Sequence, residues 1–323
     1  MMVNKAYSYK TEESHHTIIY LHFHYITFLL IYAFMENYTH SSIDSCAIAL
    51  MHRIRHKYVH QHQELTIPCL LLEEKLIYSH LLLTQHNPKA SDIQLPPIKQ
   101  LIVDFVQKTN RIAMQTLEHN DTNDLKRYDQ MLSKSISLLM LPHIDNYLAD
   151  SPLITKLKIL SFNNLSCLYK QKKKYGVAMR TIDFAVKLEE ELLKTKPSEQ
   201  KYDIIPTYLN KAAVYSEMKK HSEAIAIIQL AKACVESIEG ELSVQIEQTV
   251  EESEKKRLLE KRYYGMYMKM IIFYNLGAEK EHLRLMGEAV DWYKQSKQVA
   301  IIIDNQLMSN KLRPIIDQLM AAK

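Results

Sequence analysis

The chain has only five glycines in 323 residues, Gly176, Gly240, Gly265, Gly277 and Gly287, and none lies before residue 176. Backbone that cradles phosphate or turns through positive φ needs glycine, often several close together. No two of these five are close enough to form such a loop. Walker-type and dinucleotide-binding turns, a kinase glycine-rich loop and a Gly-x-Ser-x-Gly nucleophile elbow are therefore all excluded. Few glycines, nine prolines and long runs rich in Leu, Lys, Glu and Ala suit helices joined by short connections. The expected fold class is all-α.

Other function classes leave no trace. Hydrophobic residues make up 47% of the chain and charged residues 24%, the balance of an ordinary globular protein. A net charge of +4 spread over many acids and bases is no footprint for nucleic acid, which calls for clustering on one face. The basic clusters Lys170–Lys174 and Lys255–Arg257 with Lys261 and Arg262 read as solvated surface. Glu251, Glu252, Glu254 and Glu260 are interleaved with the second. Cys46, Cys69, Cys167 and Cys234 form no Cys-x-x-Cys pair, which argues for buried free thiols in a reducing, cytoplasmic setting. His52, His56 and His60 could share a helix face, but no His-Glu-x-x-His is present and Arg53, Arg55 and Lys57 oppose a bound cation. No catalytic constellation can be assembled without choosing residues freely. The expectation is a non-enzymatic protein with no metal and no cofactor.

Along the chain, residues 1–34 comprise a polar start and the apolar segment Thr17–Phe34. That segment approaches the length of a membrane helix, but His22 and His24 interrupt it and its flanking charges nearly cancel. A membrane anchor, a buried element and a start at Met35 all remain open. Residues 35–86 read as N-terminal helices, and 87–97, with three prolines, as a linker. The remainder, 98–323, reads as one helical domain.

Within that domain three windows share an internal spacing. In the first, Phe162-x2-Leu165-Ser166-x2-Tyr169 precedes Ala178-x3-Ile182 and Ala185. In the second, Tyr208-x2-Lys211-Ala212-x2-Tyr215 precedes Ala224-x3-Ile228 and Ala231. In the third, Phe273-x2-Leu276-Gly277 precedes Ala289-x3-Tyr293 and Ser296. Over residues 98–321 the chain resembles the tetratricopeptide-repeat (TPR) family, whose signature is W-x2-L-G-x2-Y in helix A, then A-x3-F and a second small residue in helix B. Lys211 stands in place of the Leu and Lys280 in place of the Tyr, and the terminal Pro is missing throughout. The helix-B alanines Ala178, Ala224 and Ala289 lie 46 and 65 residues apart, against about 34 in the family. The extra length points to a long charged helix over Glu241–Tyr264, projecting before the third window, and to a second elongation after Leu192. A degenerate pair, Ile98–Glu118 and Thr122–Leu139 with Leu132 and Ser135 in packing positions, precedes the first window. Gln306–Met320 caps the end.

The resemblance implies an α-solenoid of antiparallel helix pairs and an adaptor or scaffold role. A peptide or helix of a protein partner would lie in the concave groove. Asn164, Asn210 and Asn275 occupy the equivalent helix-A position of each window, which in the family faces that groove and can bond the backbone of an extended peptide. The carboxylate-gripping version of the groove is not expected, since Asn163 and Cys167 stand where that pattern wants Lys and Asn. Two alternatives stay open: a membrane-anchored TPR receptor, and a structural subunit of a large assembly such as a cilium.

Overall fold

The structure, a computed structural model, describes residues 96–118, 125–141, 152–195 and 203–321. The segments 1–34 and 35–86, the linker up to residue 95 and the elongation expected near Pro197 lie outside the described residues. The chain divides into two compact units, residues 1–109 and 110–323.

Among the described residues the fold is entirely helical. The helices are α1 (Pro96–Glu118), α2 (Leu125–Leu139), α3 (Pro152–Gln171), α4 (Tyr175–Thr195), α5 (Ile204–Glu217), α6 (His221–Gln248), α7 (Glu252–His282), α8 (Met286–Ile302) and α9 (Gln306–Ala321). Pro96 and Pro152 open α1 and α3, where a missing N–H costs nothing and φ is already helical. From α2 to α9 each helix packs against the next. α3, α5 and α7 are the first members of three antiparallel pairs, and α3 also touches α5, as α5 touches α7. The second unit is thus a solenoid-like stack of helix pairs. The position of α3 inside that stack shows in its burial: Ile154, Leu157, Ile159, Leu165 and Leu168 are all buried, on more than one side of the helix.

The three pairs share one turn. Lys173, Lys219 and Arg284 take the left-handed conformation, with φ of 57°, 62° and 61°. In each turn the next residue donates its N–H five residues back: Lys174 to Tyr169 (2.9 Å), Lys220 to Tyr215 (2.9 Å) and Leu285 to Lys280 (2.9 Å). The left-handed residue itself bonds three back, to Lys170, Ser216 and Glu281. This is the Schellman arrangement, normally closed by glycine. The helix-B alanines Ala178, Ala224 and Ala289 then donate to the carbonyls of Lys174, Lys220 and Leu285. Backbone bonds alone thereby fix which residue of the first helix faces which residue of the second. The α8–α9 turn repeats the arrangement with Asp304 (φ 54°) and the bond from Asn305 to Ala300 (2.8 Å).

One expectation is corrected. Glu241–Tyr264 is not a single long helix: α6 ends at Gln248 and α7 begins at Glu252. Thr249 and Val250 are β-branched, and Thr249 is extended (ψ 121°) with its hydroxyl bonded to the Gln245 carbonyl at 2.7 Å. Glu251 is extended too (ψ 120°), and Glu252 and Glu254 in the first turn of α7 suit a helix N-terminus. The added length is therefore a helical hairpin. Leu242 and Leu258 close its base, Lys269 pairs with Glu239 across it at 2.6 Å, and residues 243–257 beyond contain nothing buried.

The main core joins α5, α6, α7 and α8 through residues such as Ile205, Val235, Met270, Ile272 and Val299. At the end of the stack α9 lays Leu312, Ile316 and Leu319 on Ala289, Val290 and Tyr293 of α8. Its other side carries Lys311, Arg313, Asp317 and Gln318 to solvent.

Candidate protein-binding wall

Small residues decide how closely each pair approaches. Ala178, Ala185, Ala224, Ala231, Ala289 and Ser296 are fully excluded from solvent, and Ala212 and Ser166 nearly or wholly so. Ser166 donates to the Ala178 carbonyl (2.9 Å) and Ser296 to that of Met270 (2.8 Å). At Gly277 a Cβ would lie 2.6 Å from Cδ1 of the Tyr293 ring, so glycine is required there by contact rather than by backbone angle. Burial and the carboxylate of Glu281, which accepts a hydrogen bond from the Tyr293 hydroxyl at 2.8 Å, push that phenol well above its ordinary range.

The aromatic positions pack both within the pairs and between them. Phe162 stacks on Phe184 with ring centroids 5.7 Å apart, and Phe273 meets Trp292 at 5.4 Å. Tyr208 and Tyr215 pack against the main core; burial, with nearby Glu190, Cys234 and Glu189, pushes the Tyr208 phenol up to about 12. The Tyr169 hydroxyl donates to Asp129 of α2 (3.0 Å), which also takes Lys172 at 2.8 Å. One lysine of the Lys170–Lys174 cluster is thus held in an ion pair. The two departures from the signature have partners too: Lys211 reaches Asp183 and Lys280 reaches Glu288, at 2.8 and 2.7 Å.

The three asparagines have different surroundings. Asn164 is buried and donates its amide to Asn110 of α1 at 2.7 Å, while Asn110 donates to Ser161 at 2.8 Å. Asn210 donates to Asn163 at 3.0 Å, and Asn163 in turn donates to the Thr207 hydroxyl at 2.8 Å. Asn275 is half-buried, and its side chain forms no hydrogen bond among the described residues. Two of the three side chains therefore stitch consecutive first helices together, α1 to α3 and α3 to α5. Cys167, one turn further along α3, is half-buried, and burial pushes its thiol up.

Sequence reasoning missed the rest of this polar seam. Asn110, Asn163 and Thr207 take part, and so does Glu189 of α4, which is only 3% exposed. Its Oε2 has no hydrogen-bond partner among the described residues. Burial and then Asp203 push the carboxyl up to about 7, against the pull of Lys156 and a bond from the Thr207 hydroxyl. An adjacent asparagine pair in an apolar helix, with a third asparagine on α1, was the available signal. Also unforeseen is His221, whose Nδ1 lies 2.7 Å from Glu279 Oε2 and whose ring stacks on His282 at 4.7 Å.

Among the described residues no group of three or more His, Cys, Asp or Glu side chains is placed to hold a metal ion, and no helix is long and apolar enough to cross a membrane. The segment Thr17–Phe34 lies outside them. The described residues form an all-α stack of helix pairs, and comparison with protein families and with curated proteins finds no match for the chain.

Proposed function

We propose that the chain is a non-enzymatic adaptor of the tetratricopeptide type, holding a peptide or helix of a protein partner along the wall formed by α3, α5 and α7. The observation that carries this reading is the shared turn. It sets three pairs in one register and brings their first helices side by side, as a continuous binding surface requires. Leu160 of α3 is 41% exposed, and Asn275 of α7 is half-buried with no described partner. Both are available to an incoming chain, whereas Asn164 and Asn210 already serve the stack and would contribute through their remaining valences.

The test is affinity enrichment from native cells read by mass spectrometry. Wild type is compared with a wall variant, Leu160→Arg with Asn275→Arg, and with an outer-face control, Arg180→Glu with Lys187→Glu on exposed positions of α4. All three proteins are first matched in thermal stability. Partners that disappear from the wall variant and remain with the control support the adaptor reading. Partners kept by both place binding elsewhere.

A second reading, a structural subunit of a larger assembly, is favoured by the exposed apolar run Leu259, Tyr263, Tyr264 and Tyr267 on α7. Partners lost only when Leu259 and Tyr267 become Lys would select it.

A further inference from the structure

The buried carboxyl of Glu189 takes no part in the proposed binding wall. It sits on α4 at the junction with α5, beside a seam in which Asn210 donates to Asn163 and Asn163 to Thr207, whose own hydroxyl bonds the carboxyl. One carboxyl oxygen is left without a partner at 3% residue exposure. A buried neutral carboxylic acid there costs a weak hydrogen bond, whereas a buried carboxylate costs a desolvated charge.

We infer that Glu189 is a proton-operated joint between the helix pair α3/α4 and helix α5. With its proton on, the seam closes around a neutral group. When the proton leaves for solvent, the carboxylate is exposed by moving α5 off α4. The charged and titratable groups facing it from the packed elements set the balance. Lys156 of α3 favours the carboxylate, but it is already paired with Asp203 at 2.8 Å and both side chains are 44% exposed. Asp203, at the start of α5, opposes it. Tyr208 of α5, half-buried beside Glu189, Glu190 of α4 and Cys234 of α6, has its phenol pushed up and stays neutral. The net environment favours the protonated joint.

The sign follows from linkage. The carboxyl titrates at about 7 in the closed joint and in the ordinary glutamate range once exposed. The closed joint therefore binds the proton more tightly. Its stability is full below the ordinary glutamate range, falls as pH rises from there to about 7, and levels off above that.

The experiment is amide hydrogen exchange by mass spectrometry on the full chain at about pH 6 and about pH 8, corrected for the intrinsic pH dependence of exchange. Opening of α4 and α5 is expected to increase about tenfold over that interval, with α8 and α9 unchanged as an internal reference. In Glu189→Gln, which is neutral at both pH values, the increase disappears. Equal changes in α4/α5 and α8/α9 of the wild type would overturn the inference, even if the variant failed to fold. So would a variant that kept the wild-type acceleration.

Discussion

Asn164 and Asn275 stand at equivalent places in their helices, yet only the first is tied to its neighbours. Asn164→Ala would remove the buried hydrogen bond to the side-chain oxygen of Asn110, a loss on the order of 1 kcal/mol or more. Asn275→Ala removes no described bond and is expected to stay within about 0.5 kcal/mol of wild type. Urea unfolding of the two variants checks this, and equal losses would remove the distinction. Gly277→Ala is a third case. Alanine favours a helix by about 1 kcal/mol, but here its methyl would enter the Tyr293 ring. That ring is held by its bond to Glu281 and its contact with Tyr274, 5.7 Å between centroids. Overpacking of this sort costs about 1–3 kcal/mol, so the expected outcome is a net loss of stability in thermal unfolding. A gain would mean the ring moves freely.

At the scale of the element, the turns are held by residues poorly suited to them. A left-handed conformation costs a side-chain-bearing residue roughly 1 kcal/mol relative to glycine. Lys219→Gly, at an exposed position with φ of 62°, is therefore expected to stabilise the chain by about 0.5–1 kcal/mol, with an upward shift in melting temperature. A lowered melting temperature would show that the lysine contributes something beyond the turn. These elements were also the most legible part of the sequence. The spacing predicts Ile98–Glu118, Thr122–Leu139 and Gln306–Met320, and α1, α2 and α9 agree within a few residues. Leu132 and Ser135 are buried as expected. The break at Thr249–Glu251 was poorly legible, because the charge pattern runs on both sides of it and the β-branched Thr249 and Val250 lower helix propensity only slightly. It depends on Leu242 and Leu258 meeting at the base of a hairpin. The polar seam was hidden for a related reason. An asparagine facing a groove and one facing a neighbouring helix are the same letter, and the deciding neighbour of Asn164, Asn110, lies 54 residues away.

For the second unit, stability is shared between adjacent helices, so an end matters as much as a middle. A chain ended before Gln306 would lose the buried Leu312, Ile316 and Leu319 and uncover Ala289, Val290 and Tyr293. Three such side chains contribute roughly 1.5–3 kcal/mol each. A melting temperature lower by about 10 °C or more is expected, and a change of only a degree or two would mean that α9 lies outside the cooperative unit.

The turn also bears on how freely the sequence can drift. Register between the paired helices is written in N–H and C=O groups, which every residue except proline carries. Lys211 and Lys280 lie in two of the first helices with their charges taken up by Asp183 and Glu288. A stack built this way can exchange such side chains one after another and keep its pairing. Its spacing and hydrogen-bond pattern then outlast the letters that carry them.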